Sequence, residues 1–293
     1  MNATSNAFSR DNTQHRISRR QLLRTGALAA ASGALGIEAL AQANRGHKPW
    51  YGKFRMGIQS YSLRGYSLDE ALERTEKLGI AYWEAYPGHI PQTNSAGTIQ
   101  GMLAKLKARG VYLRAWGVQG FDGNEAKARA TFEFARAMGL QTITADPSRE
   151  ALPILDKLVE EYKINIAIHN HGPGSRYDKI DSVAAALAGH HPRIGACVDT
   201  GHYLRSGEDP VEAIHTFGKR VYSVHLKDVK DKTQFTTLGR GDLDTVGVFR
   251  ALRKLDYPYV VALEYEEHPE NPCPDIDLCL ATARDAINKA KYQ

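Results

Sequence analysis

The sequence predicts an α/β fold, a single (βα)8 TIM barrel preceded by a cleavable signal segment, on three observations. Short β-branched, apolar segments alternate with helical patterns from residue 54 onward. The strand segments are apolar on both faces, as parallel strands buried between a core and a helix ring must be. Several of them end in a residue able to bind a metal or move a proton: Glu84 in YWEA, His169 and His171 in INIAIHNH, Asp199 and His202 in IGACVDTGH, His225 in VYSVHLKD and Glu264 in VVALE. In a parallel barrel the C-terminal strand ends converge on one mouth.

Each element has its own signal. The first strand is read over 54–63 and is followed by the capping box Ser67–Glu70, with Leu68, Ala71, Leu72, Thr75 and Leu78 at helical spacing and a stop at Gly79. IAYWEA leads to a helix over 98–109 closed by Gly110, and VYLRAW to one over 124–138 stopped by Gly139. TITA precedes a helix over 150–162, INIAIH one over 181–188, and GACVD a short one over 209–217. VYSVHL is followed by a long loop, 230–244, and a helix over 245–255; VVALE leads to a last helix over 276–289. That makes eight strands and eight helices, and strict alternation without a Gly-rich turn favours a closed barrel over a doubly wound sheet. No GxGxxG opens a helix after the first strand, so dinucleotide binding has no support.

The first forty residues are a different object. Twin arginines, Arg19 and Arg20, precede a modest Ala/Gly-rich apolar run that ends at Ala41-Gln42-Ala43. That pattern predicts a Tat signal peptide over 1–43, a short extension over 44–53 and the barrel over 54–293, with periplasmic location and the Tat machinery as an export partner. The run from Thr25 to Leu40 is short and contains Glu38, which argues against a stable membrane anchor. Residues 1–43 carry five basic and two acidic residues, leaving 33 Lys+Arg against 31 Asp+Glu, a net +2 in place of +5. The basic balance is thus largely a targeting feature, and with no basic run interleaved with aromatics, nucleic acid is excluded as a partner. Hydrophobic residues at 42% suffice for a full core. Three cysteines, none in CxxC, make neither a disulfide framework nor a thiolate site; Cys197 reads as core, and a Cys273–Cys279 pairing stays open.

A Glu, an Asp and two or more His at one mouth make a mixed N/O site for a divalent cation. Asp199 and His202 share a turn in which Gly201 is expected to let the backbone curl. Alternation puts His225 and Lys227 on one side of their strand and Leu226 on the other. It also turns His169 and His171 the same way, one to ligate and one to touch substrate. Glu84, beside Trp83, is expected to touch a ligand or form an ion pair.

The segments AIHNHG, CVDTGHY, VHLKD, LGRGDLD and ALEYE, in this order, resemble the sugar phosphate isomerase/epimerase family with a xylose isomerase-like barrel, from about Phe54 to the C-terminus. The resemblance implies a divalent ion, Mn, Co, Mg or Zn, held by Asp199, His225 and Glu264, with His202 contacting substrate. It departs at the first ligand, where such epimerases carry a Glu and this chain has His169. The implied chemistry is removal of a proton next to a sugar carbonyl, with Glu264 or a nearby His as base. Lys227 and His202 would serve hydroxyls or developing charge, Trp116 would stack on a sugar ring, and Glu84, His171 and Arg240 would contact substrate. Isomerisation, epimerisation and elimination from a 3-keto-glycoside share that first step; export and the loss of one carboxylate favour elimination. A non-catalytic sugar-binding barrel is the reading from another class.

Overall fold

The structure, a computed structural model, describes residues 51–291. The expected signal segment, 1–43, lies outside the described residues, as does most of the 44–53 extension. Among the described residues no helix is long and apolar enough to cross a membrane.

Eight parallel strands close into a barrel. In chain order they are β1 (Arg55–Gln59), β2 (Tyr82–Ala85), β3 (Tyr112–Phe121), β4 (Thr142–Pro147), β5 (Asn165–His169), β6 (Ile194–Asp199), β7 (Val221–Leu226) and, after a hairpin of β8 (Asp228–Lys230) and β9 (Gln234–Thr236), β10 (Val260–Leu263). Closure is made by β1 against β10, from Arg55↔Val260 to Ile58↔Leu263. The helical layer comprises α1 (Leu68–Lys77), α2 (Ala96–Ala108), α3 (Glu125–Ala137), α4 (Leu152–Tyr162), α5 (Ile180–Leu187), α6 (Thr200–Arg205), α7 (Pro210–Phe217), α8 (Thr245–Lys254) and α9 (Cys273–Lys289).

Local chemistry explains the boundaries. The capping box of α1 forms as read, Ser67 and Glu70 each satisfying the other's backbone N–H, and such a cap stabilises a helix by about 1 kcal/mol. Ser95, Asn124, Asp209 and Asp244 cap α2, α3, α7 and α8 more simply, each side chain accepting one backbone N–H of the first turn. The first strand stops earlier than its sequence suggests, because the Gln59 side chain accepts the Tyr61 N–H (3.1 Å) and turns Ser60–Leu63 into a 3-10 turn. The Asp-Thr-Gly-His turn is the short helix α6, capped by Asp199 itself. Residues 230–244, read as loop, include part of the β8–β9 hairpin.

Every residue of β5, β6 and β10 is buried. Outward-facing side chains meet the helix layer: Trp83 donates to Thr75 Oγ1 of α1 (2.9 Å), and Trp116 packs edge-on to Phe134 of α3. Phe54 and Phe249 join the barrel's N-terminal end to α8. Each fully buried apolar side chain of this kind contributes about 1.5–3 kcal/mol relative to exposure. The interior below the mouth is polar instead, and that layer positions the site.

Candidate active site

The floor of the site is Glu84, fully buried at the end of β2. Gln59 Nε2 (3.0 Å) and Thr144 Oγ1 (2.6 Å) donate to its Oε1, and Ser223 Oγ (2.8 Å) donates to its Oε2. His225 Nε2 lies 2.8 Å from Oε1. Burial alone would raise the Glu84 carboxyl, but the charge and hydrogen bond of His225, with those of Thr144 and Ser223, hold it below the ordinary value. With Nε2 given to Glu84, His225 presents Nδ1 to the mouth.

There Nδ1 meets three further donors. His169 Nε2 is 3.1 Å away, Glu264 Oε2 3.2 Å and Asp199 Oδ2 3.7 Å, while His169 Nε2 and Asp199 Oδ2 are 3.3 Å apart. All four atoms lie within 4.8 Å of one another, and all four residues are buried. Their placement follows from the strand ends. Asn170 clasps β5 to β6, its Nδ2 donating to Asp199 O (2.9 Å) and its Oδ1 accepting from Asp199 N (2.8 Å). Asp199 Oδ1 is then taken by the His202 N–H (2.8 Å), which leaves Oδ2 for the cluster. Asp199 Oδ2 and Glu264 Oε2 are buried and face the two imidazoles and the Lys227 ammonium. Two buried carboxylate oxygens facing two imidazole nitrogens at these separations fit a divalent cation with bonds of about 2.0–2.2 Å. Burial disfavours charge on His225, yet the Glu84 and Glu264 carboxylates raise it well above the ordinary imidazole value; the same environment favours a cation. Cys197 also lies near His169 and His225, but burial pushes its thiol up to about 11, so it stays protonated and the carboxylate-containing set is the better ligand group.

Lys227 lines one wall. Its ammonium is 2.9 Å from Glu264 Oε2 and 3.1 Å from Asp199 Oδ2, and it also pairs with Glu266. Burial opposes its charge, but Asp199, Glu264 and Glu266 overcome that and raise it above its ordinary value, so Lys227 is a fixed cation and no base. Glu264 is shifted the other way: burial would raise it, and Lys227 and His225 hold it ionised, well below the carboxylate range. Gly201 has an ordinary backbone; its function is space, since a Cβ there would come within 2.7 Å of Lys227 Cγ.

A cavity of about 440 Å³ opens above the cluster. His169, His171, His202, Lys227 and Glu264 all line it. Burial lowers His202 to about 3 and His171 to about 4, the latter also through His169, so both rings face the cavity neutral. A groove of about 880 Å³ between α2 and α3 is larger but contains none of these groups.

Three expected substrate contacts are not in the cavity. Glu84 lies beneath the cluster, bonded to His225. Trp116, 1% exposed, points to the helix layer and donates to Ile90 O (2.8 Å). Arg240 is exposed on the loop after β9. That loop is folded around Asp228, whose buried carboxylate accepts the N–H groups of Val229, Gly239, Gly241 and Leu243 at 2.8–3.1 Å, so LGRGDLD is shaped from within. Conversely, the sequence reading missed Glu266, Arg205 and Phe235, all at the cavity wall. Glu266 shares the parity of Glu264, and Arg205 follows His202 by one helical turn, signals that were available. Phe235 carried none. All three cysteines are free, and Cys279 Sγ accepts the Leu238 N–H.

A family model for the xylose isomerase-like TIM barrel matches residues 27–278. The chain belongs to that family. The match begins inside the segment read as an export signal, so the two overlap over residues 27–43. Over 89 residues the chain is 35% identical to an inosose dehydratase of Geobacillus kaustophilus, covering 24% of this chain and 29% of that one. Over 139 residues it is 27% identical to an inosose dehydratase of Clostridium tetani, covering 41% and 46%. The chain thus spans less than half the length of these curated relatives. Among solved structures, an uncharacterized protein from Parabacteroides distasonis matches with a TM-score of 0.63 at 28% identity, covering 79% of this chain and 98% of that one. This xylose isomerase-like barrel therefore shares its architecture with that protein along nearly the other's whole length.

Proposed function

We propose that the protein is a divalent-metal-dependent enzyme that removes the proton next to the carbonyl of a keto sugar, keto-glycoside or cyclitol ketone and expels a hydroxyl or alkoxyl group from the β carbon. The observation that carries this is the one-sidedness of the cavity. Its carboxylates, Glu264 and Glu266, both come from the end of β10, while the β5 and β6 side is lined by His169, His171 and His202. Epimerisation needs a proton removed from one face and returned to the other; elimination needs one base. The partial matches to inosose dehydratases point the same way.

His169, Asp199, His225 and Glu264 would hold the metal, which when bound supplies Lewis-acid polarisation of the carbonyl. The Glu264 carboxylate, kept ionised by Lys227, accepts the α proton. The Lys227 ammonium, fixed by its carboxylates, meets negative charge developing on the substrate oxygen. His171 and His202, held neutral, donate hydrogen bonds to hydroxyls and to the departing oxygen. Asn170 keeps Asp199 in register through its two hydrogen bonds.

The test is incubation of metal-loaded protein with 3-keto-glucosides and with an inosose, following enone absorbance and released alcohol or water. Glu264→Gln should abolish product formation. Rapid interconversion of free C3-epimeric ketoses by the unaltered protein, without elimination, would replace this reading with the epimerase one. His169→Glu places a carboxylate on the opposite side and should raise solvent exchange at C3.

A further inference from the structure

Two permanent cations line the mouth cavity, and they are in opposite situations. Lys227 is saturated by Asp199, Glu264 and Glu266. Arg205 has no carboxylate partner among the described residues; it meets His202 Nδ1, 3.3 Å from Nη1, and the Phe235 ring, whose centroid lies 5.1 Å from its Cζ. The guanidinium is nonetheless held in place. Phe235 covers one side, and Gly172 approaches so closely that a Cβ there would meet Nη1 at 3.0 Å. A long, flexible side chain clamped by a ring and a bare backbone, without a counter-charge, is prepared for a ligand.

We propose that Arg205 is a specificity residue that binds a carboxylate of the substrate, so that the preferred substrate is an acidic sugar or cyclitol, an assignment that rests on the mouth cavity being the substrate site. Because arginine only donates, His202 Nδ1 must accept and the His202 proton sits on Nε2. Arg205 and His202 therefore present N–H groups to the same space, one charged and one neutral. A planar guanidinium matches the two oxygens of a carboxylate. Glu264 and Glu266 in the same cavity repel a dianion more than a monoanion, which favours a carboxylate over a phosphate.

Binding, measured without turnover, tests this. Glucose, glucuronate and glucose 6-phosphate share one ring and differ in the group at C6. Calorimetric titration should show glucuronate binding the unaltered protein about tenfold or more tightly than glucose, with or without added divalent metal. Arg205→Met should erase that preference and leave glucose affinity within about twofold, Arg205→Lys should retain part of it, and Arg240→Met, outside the cavity, should change nothing. Equal binding of glucose and glucuronate, a preference that survives Arg205→Met, tighter binding of the phosphate than of glucuronate, or no binding of glucuronate at all would each overturn the assignment. Failure of the elimination assay with this preference intact would instead remove the proposed reaction and leave the anion site standing.

Discussion

The Nε2 of His225 and the Oε1 of Glu84 lie 2.8 Å apart at the floor of the barrel. Glu84 stands on β2 and His225 on β7, strands that are not neighbours in the closed sheet, so the contact crosses the interior. It fixes which imidazole nitrogen faces the mouth and adds a carboxylate behind the proposed metal ligand, an arrangement that raises the basicity of a ligating histidine.

Glu84→Gln should keep the fold, since Thr144, Ser223 and Gln59 can still bond an amide, yet lower divalent-metal affinity about 10–100-fold. Titration of apo protein with Mn or Zn reads this directly. An unchanged affinity would show that Glu84 only fills space.

Gly201→Ala puts a methyl group within 2.7 Å of Lys227 Cγ and 2.8 Å of Cδ. The stem of Lys227 must shift, drawing its ammonium from Glu264 and Asp199. We expect turnover to fall at least about tenfold, while stability changes by about 1–3 kcal/mol, the ordinary cost of overpacking. Loss of folding without a selective loss of turnover would count against the positioning of Lys227.

Asp228→Ala removes the acceptor of four backbone N–H groups, two of them on the buried residues Val229 and Leu243. Stranded donors cost about 1–3 kcal/mol each when water cannot reach them. The melting temperature should drop by roughly 4–12 °C, and limited proteolysis should cut first between 238 and 243. A melting temperature within about 1 °C of the parent would refute this.

Export is proposed from the sequence alone. Periplasmic protein should begin near Asn44, and changing Arg19 and Arg20 to Lys should leave the chain in the cytoplasm. N-terminal sequencing of exported material that still begins at Met1 would contradict it.

Much of the fold was legible because its signals are local. The Ser67–Glu70 box, the prolonged alternation and the glycine stops depend on neighbours a few residues away. The pairing of His225 with Lys227 on one side followed from strand parity alone. Which side faced inward was harder: β2 and β3 are buried on both faces near the mouth, so hydropathy could not tell that Trp116 faces the helices and Glu84 the interior. A register shift between Trp83 and Glu84 adds to the ambiguity. Arg240 misled because its loop is organised by Asp228, which binds backbone and leaves that side chain exposed. Phe235 reaches Arg205, Lys227 and His202 from a hairpin whose docking no local pattern announces.

Asp228 grips the 238–243 loop by its amides and asks almost nothing of its side chains. The exceptions are Gly241, where any Cβ would come within 2.4 Å of the carboxylate, Gly239, whose φ is +84° and where a Cβ would meet Thr282 Cγ2 at 2.7 Å, and the buried Leu238 and Leu243. The exposed positions 240 and 242 can be rewritten, one mutation at a time, with the loop keeping its course. Lineages of this barrel can thus trade the decoration at these exposed positions while inheriting the shape of the loop.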